Sequence, residues 1–174
     1  MSHQRNAPSH QIADPFEFAR RGARLESEVD AAMLPRLADV LRSTRAQPVR
    51  FVVTGAVERS ATGERLFLRL VGEGELVLGC QRCLEELPQG VAIDARLLLV
   101  PADEPLPDEE LEDDSFDPVH ASRDFDVVEA LEEELILALP LAPVHDDCHA
   151  PVEAARDEDA SPFAVLKGLK RDEA

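Results

Sequence analysis

The chain has 174 residues, of which 44% are hydrophobic, and it carries a formal net charge of −18. This length suits one domain, and the hydrophobic fraction is sufficient for a real core, which excludes wholesale disorder. The charge excludes a protein that is drawn to nucleic acid by its overall field, because phosphate binding depends on Lys and Arg.

The low cysteine content and the lack of a recognisable secretory signal predict a reducing compartment. Three cysteines are too few for a disulfide framework in a chain of this length. The N-terminal sequence MSHQRNAPSHQ lacks the basic start and apolar run of a secretory signal. No apolar stretch approaches the roughly 20 residues that cross a membrane. We therefore expect a cytoplasmic protein with reduced thiols and no membrane contact.

In the N-terminal quarter, the sequence predicts a disordered tail over residues 1–13, followed by short elements. Asp14 and Pro15 are typical of the first turn of a helix, which a following glycine would end. Alternating residues predict a short strand over 23–28, and leucines at helical spacing predict a helix over 34–42.

Residues 50–100 alternate between apolar and polar side chains with a period of two, which predicts β-strands. The first two strands are joined by a short turn and form an antiparallel hairpin. Gly72 and Gly74 then predict a second turn before the third strand. The predicted strands span 51–57, 66–71, 75–79 and 91–100.

The segment 101–118 interrupts this alternation. It contains four prolines and nine acidic residues without a basic one, so we expect a mobile acidic loop rather than a domain boundary. Its acidity indicates either a well-solvated surface or attraction to a basic partner. After it, Asp126 and Glu129 have the spacing of a capping box, which predicts a helix to about Leu139. The apolar stripe of this helix would pack on the sheet or, alternatively, bind a partner.

The C-terminal residues predict two further segments. An acidic, alanine-rich stretch at 150–160 predicts a linker. Apolar residues at helical spacing within 161–170, with basic residues near the end, predict a short docking helix. The chain as a whole therefore predicts one α+β domain over 14–170, with a mainly antiparallel sheet of four or five strands covered by a few helices.

The Cys-x-x-Cys sequence formed by Cys80 and Cys83 is the strongest candidate for chemistry. Two thiolates at this spacing can bind one zinc ion from a tight loop, and zinc then needs two further ligands. His145 and Cys148 lie in a proline-bounded loop that follows the last predicted helix, with His149 as a further option. If that helix lies across the sheet, these residues form a structural Cys₃His zinc site. Otherwise the first two cysteines are small, partly buried loop residues.

Other chemical motifs are not evident. The glycines near 72–79 lack the spacing of a dinucleotide-binding loop, and the chain contains neither a P-loop nor a G-x-S-x-G sequence. A thioredoxin-like role would need a βαβ context after the cysteines. The chain has no Trp or Tyr, so no stacking platform for single-stranded RNA is visible. We expect no enzymatic activity and no catalytic residue.

Several segments, in order, resemble the YceD family, whose members are called large ribosomal RNA subunit accumulation proteins. These segments are the strand ending in Cys-Gln-Arg-Cys-Leu at 80–84, the acidic loop, the helix over 128–139 with Pro-Leu-Ala-Pro-Val-His at 140–145, Cys148, and Pro-Phe-Ala-Val-Leu-Lys at 162–167. The resemblance covers roughly 14–170. It implies a non-enzymatic factor that acts in the synthesis, processing or stability of bacterial 23S ribosomal RNA, and it brings no catalytic residues.

Two function classes follow. The first is a ribosome-biogenesis factor that reaches ribosomal RNA or a ribosome-assembly protein, through a protein partner or a local basic patch, and that does not bind DNA. The second is a zinc-stapled interaction module whose acidic surface binds a basic partner.

Overall fold

The computed structural model describes residues 10–60, 63–106 and 115–151. The predictions for most of the N-terminal tail, for the centre of the acidic loop, for nearly all of the linker and for the C-terminal docking helix lie outside these residues.

The described residues form seven strands and three α-helices. In chain order these are β1 (Gln11–Ile12), α1 (Pro15–Arg20), β2 (Arg24–Asp30), α2 (Pro35–Ala38), β3 (Pro48–Ser60), β4 (Gly63–Gly79), β5 (Glu86–Pro101), β6 (Asp117–Ala121), β7 (Phe125–Asp126) and α3 (Val127–Ala138). A five-stranded sheet has the order β2-β3-β4-β5-β6, and β1 pairs with β7. Only the β5–β6 pair of the larger sheet is parallel. The predicted α+β class with a mainly antiparallel sheet is confirmed.

One face of the sheet carries the main hydrophobic core, and α1 and α3 cover it. Helix α3 buries Val127, Val128, Leu131 and Leu135, so the predicted stripe packs within the domain. Helix α1 approaches so closely that a Cβ on Gly55 would lie 2.5 Å from the Phe18 carbonyl oxygen. The buried strand residues of this face include Val49, Phe51, Val53, Leu66, Leu68, Leu70, Leu76, Leu78, Val91, Ile93, Ala95, Leu97 and Leu99.

Two helices begin at the residues that the sequence predicts. The Asp14 carboxylate accepts a hydrogen bond from the Glu17 N–H at 2.8 Å. The Asp126 carboxylate accepts from the N–H groups of Val128 and Glu129, at 2.9 and 3.2 Å. Each carboxylate satisfies donors that the first helical turn leaves unpaired, which fixes the start of the helix.

The opposite face of the sheet has a small second cluster that the sequence did not indicate. Phe116 is buried there and packs edge-to-face on Phe67, with ring centroids 5.5 Å apart, beside Leu98 and Val100. Strand β6 follows directly. The prediction of a mobile loop through Pro118 is therefore wrong at its C-terminal end, because an apolar side chain and a parallel strand pairing anchor it.

Three further predictions of local structure are wrong. The tail prediction fails at its end, where β1 pairs with β7. The helix over 34–42 is reduced to the single turn α2, preceded by a 3₁₀ turn at Ala31–Met33. The turn at Gly72 and Gly74 does not exist, since β4 runs without interruption. A Cβ at position 72 would lie 3.3 Å from Leu131 Cδ1, so this glycine makes room for α3.

Candidate metal centre

The two cysteines of the Cys-x-x-Cys sequence lie in the tight connection between β4 and β5. The Cys80 N–H donates to the Glu85 carbonyl at 2.9 Å, and the Leu84 N–H donates to the Cys80 carbonyl at 3.0 Å. Leu84 has φ of 67°, a left-handed conformation that lets the chain reverse. The loop is therefore closed by its own backbone, and the Cys80 side chain is buried with 1% exposure.

The segment that leaves α3 is held against this loop by backbone and side-chain hydrogen bonds. The Gln81 N–H donates to the Pro143 carbonyl at 2.8 Å. The Arg82 guanidinium donates to the Cys148 carbonyl at 3.0 Å. These bonds join parts of the chain that are more than sixty residues apart, and they place the loop after α3 over the cysteines.

Four side chains converge where the two loops meet. The ligand atoms of Cys80, Cys83, His145 and Cys148 all lie within 4.8 Å of one another. The Cys80 and Cys148 sulfurs are 3.7 Å apart, and the Cys83 sulfur is 3.3 Å from His145 Nδ1. Tetrahedral zinc with Zn–S bonds of about 2.3 Å separates two sulfurs by about 3.8 Å. The cluster therefore has the size and the ligand types of a site that can hold a metal ion.

The orientation of His145 fits a metal ligand. Its Nδ1 faces the cysteines, and its Nε2 lies 3.1 Å from the Glu86 carbonyl oxygen. That carbonyl can only accept a hydrogen bond, so the proton belongs on Nε2 and the Nδ1 lone pair points into the cluster. A backbone partner on the far nitrogen is the usual support of a metal-binding imidazole.

The backbone of the cysteine loop favours the thiolate form of Cys80. Burial acts to raise the pKa of this thiol. The N–H groups of Cys83 and Arg82 donate hydrogen bonds to the sulfur at 3.5 and 3.4 Å. Together with the backbone of His145 and the side chain of Cys83 they outweigh burial, so the pKa falls to about 5. A preformed thiolate is the form that binds a metal ion.

Cys148 behaves in the opposite way. Burial raises the pKa of its thiol, and the neighbouring sulfurs of Cys80 and Cys83 raise it further. Two negative sulfurs this close repel each other, so without a cation the cluster retains protons. A divalent ion would remove this repulsion by binding all the thiolates together.

Other residues named in the sequence analysis lie outside the cluster. His149 is exposed and is not among the grouped ligands, so it does not provide an alternative to His145. The neighbouring acids Asp146 and Asp147 are also exposed. Two contributors were not foreseen: the Arg82 guanidinium and the Glu86 carbonyl. No sequence pattern indicates where an arginine side chain or a backbone carbonyl points after the chain has folded.

The exposed face of the sheet carries several arginines, and four of them are paired with carboxylates. The pairs are Arg24 with Glu26, Arg50 with Glu28, Arg69 with Asp94 and Arg96 with Glu58. Hydrogen bonds from Arg69 hold the pKa of Asp94 below its usual range. Positive and negative groups therefore alternate on this face, which does not form a continuous basic stripe.

The comparisons with known proteins give one family. The family model described as Large ribosomal RNA subunit accumulation protein YceD matches residues 68–170, more than half of the chain. The match begins in β4 and includes all four residues of the cluster. No solved structure matches the chain. Within the described ranges, none of the helices is long and apolar enough to span a membrane.

Proposed function

Because this chain belongs to the YceD family of large ribosomal RNA subunit accumulation proteins, we propose that it is a cytoplasmic, non-enzymatic ribosome-biogenesis factor. Its role would lie in the synthesis, processing or stability of 23S ribosomal RNA. The family match is the single observation that carries this proposal, since neither the fold nor the charge points to the ribosome by itself.

We propose further that Cys80, Cys83, His145 and Cys148 bind one structural zinc ion. The ligand distances, the orientation of His145 and the thiolate character of Cys80 support this assignment. Four protein ligands leave no open position for a substrate or a water molecule, which is the arrangement of a structural site rather than a catalytic one. Zinc would supply charge neutralisation and a fixed link between the β4–β5 loop and the segment after α3.

Contact with the ribosome would be made through a protein partner. The net charge of −18 repels phosphate, and the arginines of the exposed sheet face stand beside carboxylates. Exposed ion pairs are weak, at about 0–1 kcal/mol, so an arginine can leave its partner easily. The carboxylates that those arginines leave would then repel the phosphates of the RNA backbone. A basic ribosome-assembly protein would not be repelled by these carboxylates.

The direct test is the ratio of 23S to 16S ribosomal RNA in cells that lack this protein. We expect a lower ratio and fewer mature large subunits in the deletion strain, with both restored by the gene on a plasmid. Unchanged ribosome profiles, including in the cold and during slow growth, would contradict the proposal.

A second candidate function is a zinc-stapled interaction module outside ribosome assembly. The metal cluster and the acidic surface favour it, and neither feature requires a ribosomal role. Affinity capture from cell lysate with and without nuclease separates the two. Ribosomal or assembly proteins among the captured partners support the first function. A single basic partner that is unrelated to ribosomes and indifferent to nuclease supports the second.

A further inference from the structure

An apolar groove lies beside the metal cluster, where the loop after α2 and the end of β4 meet the segment that leaves α3. We call it the exit groove. It has a volume of 440 Å³, within the range of about 300–1,000 Å³ that is common for binding pockets. Its lining consists of Asp39, Val40, Leu41, Arg42, Leu78, Gly79, Gln81, Ile136, Leu139, Pro140, Leu141 and Pro143. Eight of these twelve residues are apolar.

The surroundings of the exit groove are unusually apolar for this chain. Seven large apolar side chains are exposed in the described part of the molecule, and two of them, Val40 and Leu141, line the groove. Three more, Leu84, Leu137 and Val144, lie within three positions of a lining residue in the sequence. Leu141 is fully exposed, at 103%. A concentration of this kind indicates a surface that another segment or protein covers.

The chain itself has a segment that suits this groove. Residues 162–170, Pro-Phe-Ala-Val-Leu-Lys-Gly-Leu-Lys, place Phe163, Leu166 and Leu169 at helical spacing. The family model covers the walls of the groove from Leu78 onward, although not those at 39–42, and it also extends over this segment, to residue 170. The segment therefore belongs to the same matched unit of sequence as most of the groove.

Chain length allows the segment to reach the groove. The described residues end at Pro151, three positions after Cys148, whose sulfur lies 3.7 Å from that of Cys80. Gln81, next to Cys80, lines the groove. The ten residues 152–161 can span up to about 33 Å when extended. Such a tether gives an effective concentration in the millimolar range, which favours the chain's own segment over a second copy.

Charge also favours this segment. The chain has only two lysines, Lys167 and Lys170, and both lie in it. The groove itself is lined by one acidic residue, the exposed Asp39, and one basic residue, Arg42. The exposed Asp146 and Asp147 follow the last lining residue, Pro143, by three and four positions. Acidic residues in and next to the wall segments therefore outnumber the arginine of the lining, which favours an apolar segment flanked by lysines.

We propose that residues 162–170 of this chain dock in the exit groove, with Phe163 and Leu166 against Leu139 and Leu141. The docked segment closes the apolar surface beside the metal cluster. The inference is independent of the ribosomal role and of the bound metal, because it depends only on the apolar walls and on the tether.

The absence of tryptophan from the chain allows a direct test in the full-length protein. Phe163→Trp introduces a single fluorophore. We expect its emission to be blue-shifted relative to the same chain in denaturant, and the shift to persist on dilution. Adding Leu141→Asp should abolish the shift, because a charge replaces an apolar contact. As a control, adding Val57→Asp instead, at an exposed valine near the C-terminal end of β3, should leave the blue shift unchanged.

Hydrogen exchange is measured on the wild-type chain, which retains Phe163, so the tryptophan cannot cause the result. The amides of 163–169 in the wild type should exchange at least about tenfold more slowly than those in the Leu141→Asp variant. Equal exchange in the two proteins would overturn the proposal, whatever the fluorescence shows. A blue shift that disappears on dilution would overturn it as well, by assigning the groove to a second copy.

Discussion

Glu132 is a charged residue that the fold buries, with 5% of its surface exposed. Its carboxylate accepts hydrogen bonds from the N–H groups of Arg36 and Leu37, at 2.7 and 2.9 Å. These are the orphan donors at the start of α2, whose N-cap residue Leu34 has no side chain able to cap it. Glu132 thus caps α2 from α3, almost a hundred residues away.

We therefore expect Glu132→Ala to destabilise the protein by about 1–3 kcal/mol, because one buried and one part-buried N–H donor lose their acceptor. The matched control is Glu133→Ala, since this neighbour is exposed and makes only a surface ion pair with Arg36. The control should lose less than about 1 kcal/mol. Urea unfolding measures both changes, and equal losses would show that Glu132 is not a cap.

The Cys80 thiol should titrate far below an ordinary cysteine in the metal-free protein. Its pKa is lowered to about 5 in the folded chain, against about 8.5 for a free cysteine. Stability contributed by this thiolate is therefore present above the unfolded value and lost as the pH falls through about 5. Ultraviolet absorbance of the thiolate should show one transition near pH 5 that disappears in Cys80→Ser. Titration only above pH 8 would contradict the hydrogen-bonded thiolate.

At the scale of the elements, the contact of α1 with β3 depends on the absence of a side chain at one position. A Cβ on Gly55 would lie 2.5 Å from the Phe18 carbonyl oxygen and 2.6 Å from Ala19 Cα, and backbone cannot move aside as a side chain can. We expect Gly55→Ala to destabilise the protein by about 1–3 kcal/mol or more, as overpacking does.

The control for this substitution is Gly90→Ala in β5, where a Cβ would meet nothing within 4 Å. It should leave the melting temperature nearly unchanged, because it adds a methyl group in open space. Comparable losses in the two variants would mean that glycine itself, rather than the approach of α1, determines stability at position 55.

Elements whose signals are local were predictable, and elements that depend on tertiary contacts were not. The caps Asp14 and Asp126 act within one turn of the helix, so sequence spacing identifies them. A glycine such as Gly72 is typical of a turn, yet here its missing side chain leaves room for Leu131 of α3, which is distant in the sequence. Strand β6 was missed because its parallel pairing with β5 and the buried Phe116 follow an acidic, proline-rich stretch that resembles a loop.

The candidate site was predictable for a different reason. Cysteine and histidine are few in this chain, and their spacing within two short loops left few combinations. The convergence of the loops is consistent with the geometric argument that α3 lies across the sheet. The supporting hydrogen bonds of Arg82 and of the Glu86 carbonyl needed the three-dimensional structure.

At the scale of the whole molecule, the Cys₃His cluster joins two distant parts of one chain. The β4–β5 loop connects two strands of the central sheet, and the loop after α3 lines the exit groove before it reaches the cluster. A zinc ion bound by both would convert its binding free energy into folding free energy. The link would also hold the surface beside it in one arrangement for a partner to recognise.

Zinc content of the untagged full-length protein is the most direct test of this centre. We expect about one equivalent per chain, retained in His149→Ala and reduced to less than about a tenth in His145→Ala and Cys148→Ser. A strong chelator should lower the melting temperature of the wild type and of His149→Ala alike. Less than about a tenth of an equivalent in the wild type, with a melting temperature indifferent to the chelator, would contradict a structural zinc site.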